Sequence, residues 1–186
     1  MQCEGIAWSM KVLQTMHCIL EPLCERHASE MYPLLCDPRL YEFLSLPPPV
    51  SLETLAERYR RLETRTSADG KEQWLNWIIR LRNGGVCVGF VQATLYSMHQ
   101  GDVGFVLGAD HWGRGLAGAA VGAILELLFA QHGVKSLFAT VDRQNWRSIA
   151  LLTRLGFRQV KQSLYPHGKV APSDDVFQID AAVANT

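Results

Sequence analysis

Residues 102–118 read DVGFVLGADHWGRGLAG, a short apolar strand followed by a glycine-rich turn and the start of a helix. Backbone N–H groups at the start of a helix have no partner within the helix, and the helix dipole favours negative charge there. Glycines let the backbone approach phosphate oxygens closely. The stretch therefore predicts a diphosphate-binding turn, although the same glycines could simply allow the helix to pack closely on the sheet.

The spacing Gly113-x-Gly115-x-x-Gly118 also fits the dinucleotide-binding fingerprint, and Asp142 follows where a ribose-binding carboxylate would stand. Three observations disfavour a nicotinamide or flavin site. Asp142 comes 24 residues after Gly118, which is slightly long, and the turn follows an antiparallel hairpin. Only one strand–helix–strand crossover follows the glycines, so a doubly wound parallel sheet cannot be completed.

The turn instead resembles the acetyl-CoA signature of the GNAT superfamily of N-acetyltransferases, Gln/Arg-x-x-Gly-x-Gly/Ala. Residues 112–117 read WGRGLA, with Trp112 where Gln or Arg is usual and Ala117 in the last position. The flanking residues 102–106 and 145–157 are similar to those of the branch that contains ribosomal-protein-alanine N-acetyltransferases and many small-molecule acetyltransferases. The resemblance covers about residues 12–181 and implies an acetyl-CoA-dependent acyltransferase.

Hydrophobic periodicity around this stretch predicts an α/β (α+β) fold. We expect a GNAT-like mixed, mostly antiparallel twisted sheet flanked by helices, with one β-α-β crossover that carries the acetyl-CoA site. Residues 75–82 alternate between apolar and polar side chains, which predicts a strand with one more polar face. Residues 1–11 show no clear period and are expected to be an N-terminal extension, whereas 12–186 form a single GNAT-like acetyltransferase domain. The predicted helices cover residues 25–35, 51–66, 115–132 and 145–155, and the predicted strands cover residues 18–23, 75–82, 86–96, 102–107, 134–141, 157–160 and 175–179.

Composition excludes several classes of protein. The chain has 186 residues, a hydrophobic fraction of 48% and a formal net charge of zero, so it is neither disordered nor basic enough to suggest a nucleic-acid partner. The sequence contains no uninterrupted run of 18 apolar residues, so it predicts no membrane-spanning helix. The five cysteines have irregular spacing, which favours reduced thiols and a cytoplasmic location. The spacing of His17, Cys18, Cys24 and His27 matches no zinc pattern, so no metal is expected.

The resemblance implies where acetyl-CoA, the co-substrate, would bind. In the family the strand before the turn parts from its neighbour, and its main chain pairs with the pantetheine arm. In this sequence that implies main-chain groups of Phe105, Val106 and Leu107, and Asn145 would also contact the arm. The diphosphate would accept hydrogen bonds from the turn and from the Arg114 guanidinium. The turn residues are Trp112, Gly113, Arg114, Gly115, Leu116 and Ala117.

The catalytic groups are less specific in the sequence. Many family members place a tyrosine acid where this chain has Leu152, which cannot donate a proton, so Ser148 or water would protonate the leaving thiolate. Asp102 stands where the branch often has an acidic residue facing the acceptor, and it is the candidate base ahead of His99 and Glu42. A backbone N–H near Leu107 is the expected oxyanion donor.

The acceptor is expected to lie against the first two helices and the loop between the last two strands. Our first hypothesis is a small primary amine, such as an aminoglycoside-type aminosugar or a polyamine, which would make antibiotic resistance a role to test. A protein N-terminus, as in ribosomal-protein acetyltransferases, is the alternative, and a non-catalytic acyl-CoA sensor is an alternative of another class. A monomer and a homodimer both remain open. The candidate acceptor residues are Asp37, Tyr41, Glu42, Trp77, Tyr165 and His167.

Overall fold

A computed structural model describes residues 10–44, 46–83, 85–97 and 99–181. Within these ranges eight strands form one sheet, and four α-helices flank it. The strands are β1 (Leu13–Gln14), β2 (Cys18–Pro22), β3 (Gln73–Leu81), β4 (Cys87–Leu95), β5 (Gln100–Leu107), β6 (Ser136–Asp142), β7 (Arg158–Val160) and β8 (Asp174–Asp180). The α-helices are α1 (Ala28–Leu35), α2 (Leu52–Glu63), α3 (Leu116–Glu126) and α4 (Trp146–Arg154).

The strand order is β1-β2-β3-β4-β5-β6-β8-β7, and neighbouring strands are antiparallel except for β5 and β6. The parallel pair is joined by α3, which supplies the crossover that a parallel connection requires. The prediction of a mixed, mostly antiparallel sheet with one β-α-β crossover is confirmed. Among the described residues, no helix is both long and apolar enough to cross a membrane.

Two helices begin at the caps that the sequence indicates. The Ser51 hydroxyl accepts a 3.2 Å hydrogen bond from the Thr54 N–H at the start of α2. The Asn145 side chain accepts a bond of the same length from the Ser148 N–H at the start of α4. The other two predicted helices are α-helical over only part of their predicted length. A 3-10 turn at Glu25–His27 precedes α1, and a π-helical segment at Leu127–Gln131 follows α3.

The sheet is buried on both faces. One face packs against α3 and α4, and the other packs against α1 and α2. The more polar face predicted for β3 is nevertheless covered, because Trp77 and Ile78, which point to opposite faces, are both fully buried. Residues 1–9 of the predicted extension lie outside the described residues. Lys11, however, belongs to the domain, since its carbonyl accepts a 3.0 Å hydrogen bond from the indole of Trp77.

Candidate active site

Strand β5 parts from β6 shortly after it begins. It pairs with β4 along its whole length, but it pairs with β6 only at Gln100, Gly101 and Asp102. Beyond Asp102 the β6 edge of β5 is left without a strand partner. The family resemblance predicts an opening of this kind, a gap between the two strands, for the pantetheine arm.

The register of β4 and β5 decides which main-chain groups face the gap. The Gly108 N–H donates to the Val88 carbonyl at 2.8 Å, and the two strands pair without a bulge from there to Gly101. In an antiparallel pair, residues whose main chain bonds to the neighbour alternate with residues whose main chain points away. The main chain of Val106 is therefore directed at β4, whereas Phe105 and Leu107 present theirs to the gap. The expectation that all three would do so is wrong for Val106.

Two glycines in the turn adopt a conformation that other residues rarely take. Gly113 has a φ of 72° and Gly115 has a φ of 75°. A Cβ added to Gly113, Gly115 or Gly118 would meet no heavy atom within 4 Å, so close packing does not explain these glycines. The first hydrogen bond of α3 runs from the Ala119 N–H to the Gly115 carbonyl at 3.0 Å. The preceding N–H groups, those of Leu116 to Gly118, lack a helical acceptor and are available to an anion.

Trp112 connects the end of β5 to the turn. Its indole N–H donates a 2.7 Å hydrogen bond to the Leu107 carbonyl, which leaves the Leu107 N–H as the group that faces the gap. The guanidinium of Arg147 lies 4.9 Å from the centre of the Trp112 ring and 4.9 Å from that of Trp146. Neither Arg147 nor Trp146 was predicted from the sequence, in which the only signal for them is their place beside Asn145.

The start of α4 carries the candidate acid. Ser148 is half-buried, and its N–H bonds to the side chain of Asn145, so the amide oxygen of Asn145 serves as a helix cap. Leu152, at the position of the family's tyrosine, is fully buried in the core. Of Ser148 and Leu152, only Ser148 therefore has a side chain that can donate a hydrogen bond to the leaving thiolate.

Asp102 stands at the point where β5 and β6 part. One carboxylate oxygen accepts a 3.0 Å hydrogen bond from Tyr96, and the other accepts a 2.6 Å hydrogen bond from Tyr165. Burial raises the pKa of Asp102, while the bonds from Tyr165 and Tyr96 oppose this rise. The His167 ring lies against the Tyr96 ring, and burial lowers the pKa of His167. Tyr96 was not predicted from the sequence, because only the strand register brings it beside Asp102.

The family model described as an acetyltransferase (GNAT) domain matches residues 17–158, which is most of the chain. The chain belongs to the GNAT acetyltransferase family. It is 19% identical to the uncharacterized N-acetyltransferase YoaA of Bacillus subtilis, over 84% of this chain and 90% of that protein. The family uses acetyl-CoA as its co-substrate, so this chain is an acetyl-CoA-dependent acyltransferase that acts on amines.

Solved structures share the fold of this acetyltransferase at low sequence identity. RimJ from Mycobacterium smegmatis, in complex with CoA-disulfide, has a TM-score of 0.76 at 19% identity, over 94% of this chain and 89% of that one. Ribosomal-protein-S5-alanine acetyltransferase from Vibrio fischeri has a TM-score of 0.74 at 18% identity, over 92% and 97%. These likenesses show a common fold.

The residues predicted for the acceptor of this acetyltransferase are scattered. Trp77 is fully buried among core residues, so an acceptor cannot reach it. Asp37 accepts hydrogen bonds from the Arg39 guanidinium, which lowers the pKa of Asp37. Glu42 is exposed at the end of a 3-10 turn, whereas the Tyr41 hydroxyl donates a 2.6 Å bond to the Leu35 carbonyl. Among the described residues, no group of three or more His, Cys, Asp or Glu side chains could hold a metal ion.

The α1/α2 face of the acetyltransferase contains a cavity of about 560 Å³. Its floor is formed by Phe90 of β4 and Val106 of β5, which lie opposite each other in the sheet. Tyr41 and the proline segment 47–49 form one wall, and α2 forms the other. Of the six candidate acceptor residues, Tyr41 is the one that lines this cavity. The volume is typical of a site for a small molecule.

Proposed function

We propose that this acetyltransferase transfers the acetyl group of acetyl-CoA to a small primary amine bound on the α1/α2 face of β5. The proposal depends mainly on one observation, the parting of β5 from β6 directly after Asp102. That geometry places an open main-chain edge, a glycine turn and a half-buried carboxylate along a single strand.

The residues of this chain fit the co-substrate. The main-chain groups of Phe105 and Leu107 that face the gap can pair with the amides of the pantetheine arm. The N–H groups of the turn from Gly113 to Gly118 can bind the diphosphate, and no acidic residue stands in the first turn of α3 to oppose it. The arm then runs along β5 from the turn towards Asp102, so the thioester lies near the Phe105 N–H.

The chain supplies a group for each step of the transfer. The amine nitrogen forms a bond to the thioester carbon, and the developing oxyanion accepts a hydrogen bond from the Phe105 N–H. The Asp102 carboxylate lies three residues along β5 from Phe105, roughly 10 Å at the rise of a strand, and it takes the proton that the amine loses through bridging water molecules. When the carbon–sulfur bond breaks, the Ser148 hydroxyl donates a hydrogen bond to the departing thiolate, whose ordinary pKa is near 8.5.

The cavity favours an amine with an apolar body over a polycation. Its floor and one wall are formed by apolar and aromatic side chains, and α2 contributes two arginines and one glutamate, Arg58, Arg61 and Glu57. A polyamine or an aminoglycoside-type sugar would meet this excess of positive charge unfavourably. We therefore place apolar primary amines ahead of the polycationic acceptors that the sequence analysis suggested.

A peptide N-terminus is the second candidate acceptor. Two structures with the same fold are named as RimJ and as a ribosomal-protein-S5-alanine acetyltransferase, and the latter name specifies a protein substrate. An extended peptide advances about 3.3 Å per residue, so about four residues would reach from Asp102 to the cavity floor at Val106. Between them lies Gly104, which has no side chain of its own, and the side chain of Gln92 on β4 lies beside it.

Two measurements test the proposed function. Thermal unfolding should shift upward with CoA and acetyl-CoA but not with NAD, by roughly 2.7 kcal/mol of stability at a hundredfold excess over Kd. Thiol release from acetyl-CoA should then be highest with phenethylamine or benzylamine and lower with spermidine, an aminoglycoside or an alanyl peptide. Binding of CoA without thiol release from any amine would support the sensor hypothesis instead.

A further inference from the structure

Two arginines of the cavity have no acidic partner. Arg58 and Arg61 lie on the same face of α2 and both line the cavity. Among residues 10–44, 46–83, 85–97 and 99–181, no carboxylate forms an ion pair with either of them, although Glu57 also lines the cavity. By contrast, Arg39, Arg60 and Arg80 each pair with at least one carboxylate.

The position of Arg58 makes its lack of a partner informative. Its side chain is half-buried, whereas an unpaired arginine is usually left in water. Tyr41 also lines the cavity; burial raises the pKa of Tyr41, and the Arg58 cation opposes this rise. Arginine binds carboxylates well because its planar guanidinium can donate two parallel hydrogen bonds.

We propose that the acceptor carries a carboxylate, which Arg58 and Arg61 bind while its apolar body fills the cavity. This inference rests on the proposed function and names the acceptor class more narrowly. The amine faces β5, because the gap that receives the thioester runs along that strand. The carboxylate faces α2, where the two arginines stand. The acceptor is thus an amino acid with an apolar body between, or beside, its two charged groups.

Matched pairs of amines test the carboxylate directly. The full chain is assayed by thiol release with 4-(aminomethyl)benzoate against benzylamine, and with L-phenylalanine against phenethylamine. We expect at least one carboxylated amine to have a KM lower than that of its uncharged partner by roughly tenfold, which equals about 1.4 kcal/mol. The inference is overturned if neither carboxylated amine is preferred, including the case in which neither is a substrate.

Variants of α2 identify the groups responsible. Arg58→Gln and the double variant Arg58→Gln/Arg61→Gln should lose the preference for the carboxylated amine while retaining their use of its uncharged partner. Arg60→Gln is the matched control, because Arg60 lies on the same helix but is paired with Glu25 and does not line the cavity. A preference that survives in the double variant, or that Arg60→Gln abolishes equally, would exclude this role.

The thermal shift with CoA separates this inference from the proposed function. The arginine variants should keep the same shift as the unmodified chain, since Arg58 and Arg61 belong to α2 and not to β5 or the glycine turn. An unmodified chain that CoA does not stabilise, or that acetylates no amine, contradicts the proposed function as well. A chain that acetylates uncharged amines without a carboxylate preference contradicts only the inference about Arg58 and Arg61.

Discussion

The Tyr165 hydroxyl donates a 2.6 Å hydrogen bond to the carboxylate of Asp102, and these two residues are 63 positions apart in the chain. The bond ties the loop between β7 and β8 to the point where β5 leaves β6. A second bond from Tyr96 holds the other oxygen of the same carboxylate. The orientation of the candidate base therefore depends on a loop that is distant from it in the chain.

The hydrogen bond from Tyr165 should set the pH range in which the enzyme works. Only the carboxylate form of Asp102 accepts a proton, so activity should fall as the pH drops through the pKa of Asp102. The bond from Tyr165 lowers that pKa against the larger effect of burial. Tyr165→Phe should therefore shift the acid limb of kcat/KM to higher pH without lowering the plateau, and Asp102→Asn should reduce kcat by about a hundredfold.

Tyr32→Phe is the control for this pH profile. Tyr32 is on α1, and its hydroxyl lies beside Cys36 and not beside Asp102. Its profile should match that of the unmodified enzyme. An acid limb that moves to lower pH in Tyr165→Phe, or that does not move at all, would show that Asp102 is not the group that titrates.

The left-handed conformation of Gly115 should couple stability to co-substrate binding. Gly115→Ala should reduce the free energy of unfolding by about 1 kcal/mol, because an alanine at this φ is strained. It should also weaken CoA binding, since relief of the strain would rotate the N–H groups of the glycine turn away from the diphosphate. Gly70→Ala is the control: Gly70 has a φ of 71° in the turn between α2 and β3, which is not part of the glycine turn. It should be destabilised similarly, but its Kd for CoA, measured by calorimetry, should not change.

The Ser148 hydroxyl should affect turnover more than binding. Ser148→Ala should reduce kcat by roughly tenfold, because a hydrogen bond to the departing thiolate stabilises the transition state by about 1.4 kcal/mol. The Kd for CoA should be unchanged. Thr153→Val removes another hydroxyl from α4, one that bonds to the Ile149 carbonyl at 2.9 Å, and it should leave kcat as it is. An unchanged kcat in Ser148→Ala would assign the proton to water.

The cation that stacks on Trp112 should strengthen co-substrate binding. The guanidinium of Arg147 is held between Trp112 and Trp146, beside the glycine turn, where it can attract the phosphates of CoA. Arg147→Gln should raise the Kd for CoA roughly tenfold, and the difference should shrink in high salt. Arg154→Gln, at the other end of the same helix, should behave like the unmodified enzyme. Equal effects of the two substitutions would mean that only overall charge matters.

Most of the evidence for the fold in the sequence comes from the stretch between Asp102 and Gly118. Its strand–turn–helix pattern depends on local preferences, such as glycines at positive φ and unpaired N–H groups at the start of a helix. The caps of α2 and α4 were visible for the same reason, because Ser51 and Asn145 bond to groups only three residues away. Interactions of this range can be recognised without knowing which elements meet.

The residues of the acceptor face could not be assigned in this way. Tryptophan is a residue type common in binding sites, but α3 packs on the sheet and buries Trp77. Nothing near Trp77 in the sequence indicates this burial. The main chain of Val106 is directed away from the gap because of its register with β4, which a single strand does not specify. Tyr96 and Arg58 acquire their candidate roles in the same way, through the strands and helices that pack around them.

The sequence by itself determined the family, the order of strands and helices that indicates a mixed sheet, and the turn that can bind a diphosphate, because each is visible in patterns among residues close together in the chain. Only the tertiary structure decided which atoms face the gap and which side chains surround the acceptor. Those depend on strand register and helix packing, where a shift of one residue moves every side chain of a strand to the opposite face. The bond between Tyr165 and Asp102 exists only once that register is fixed.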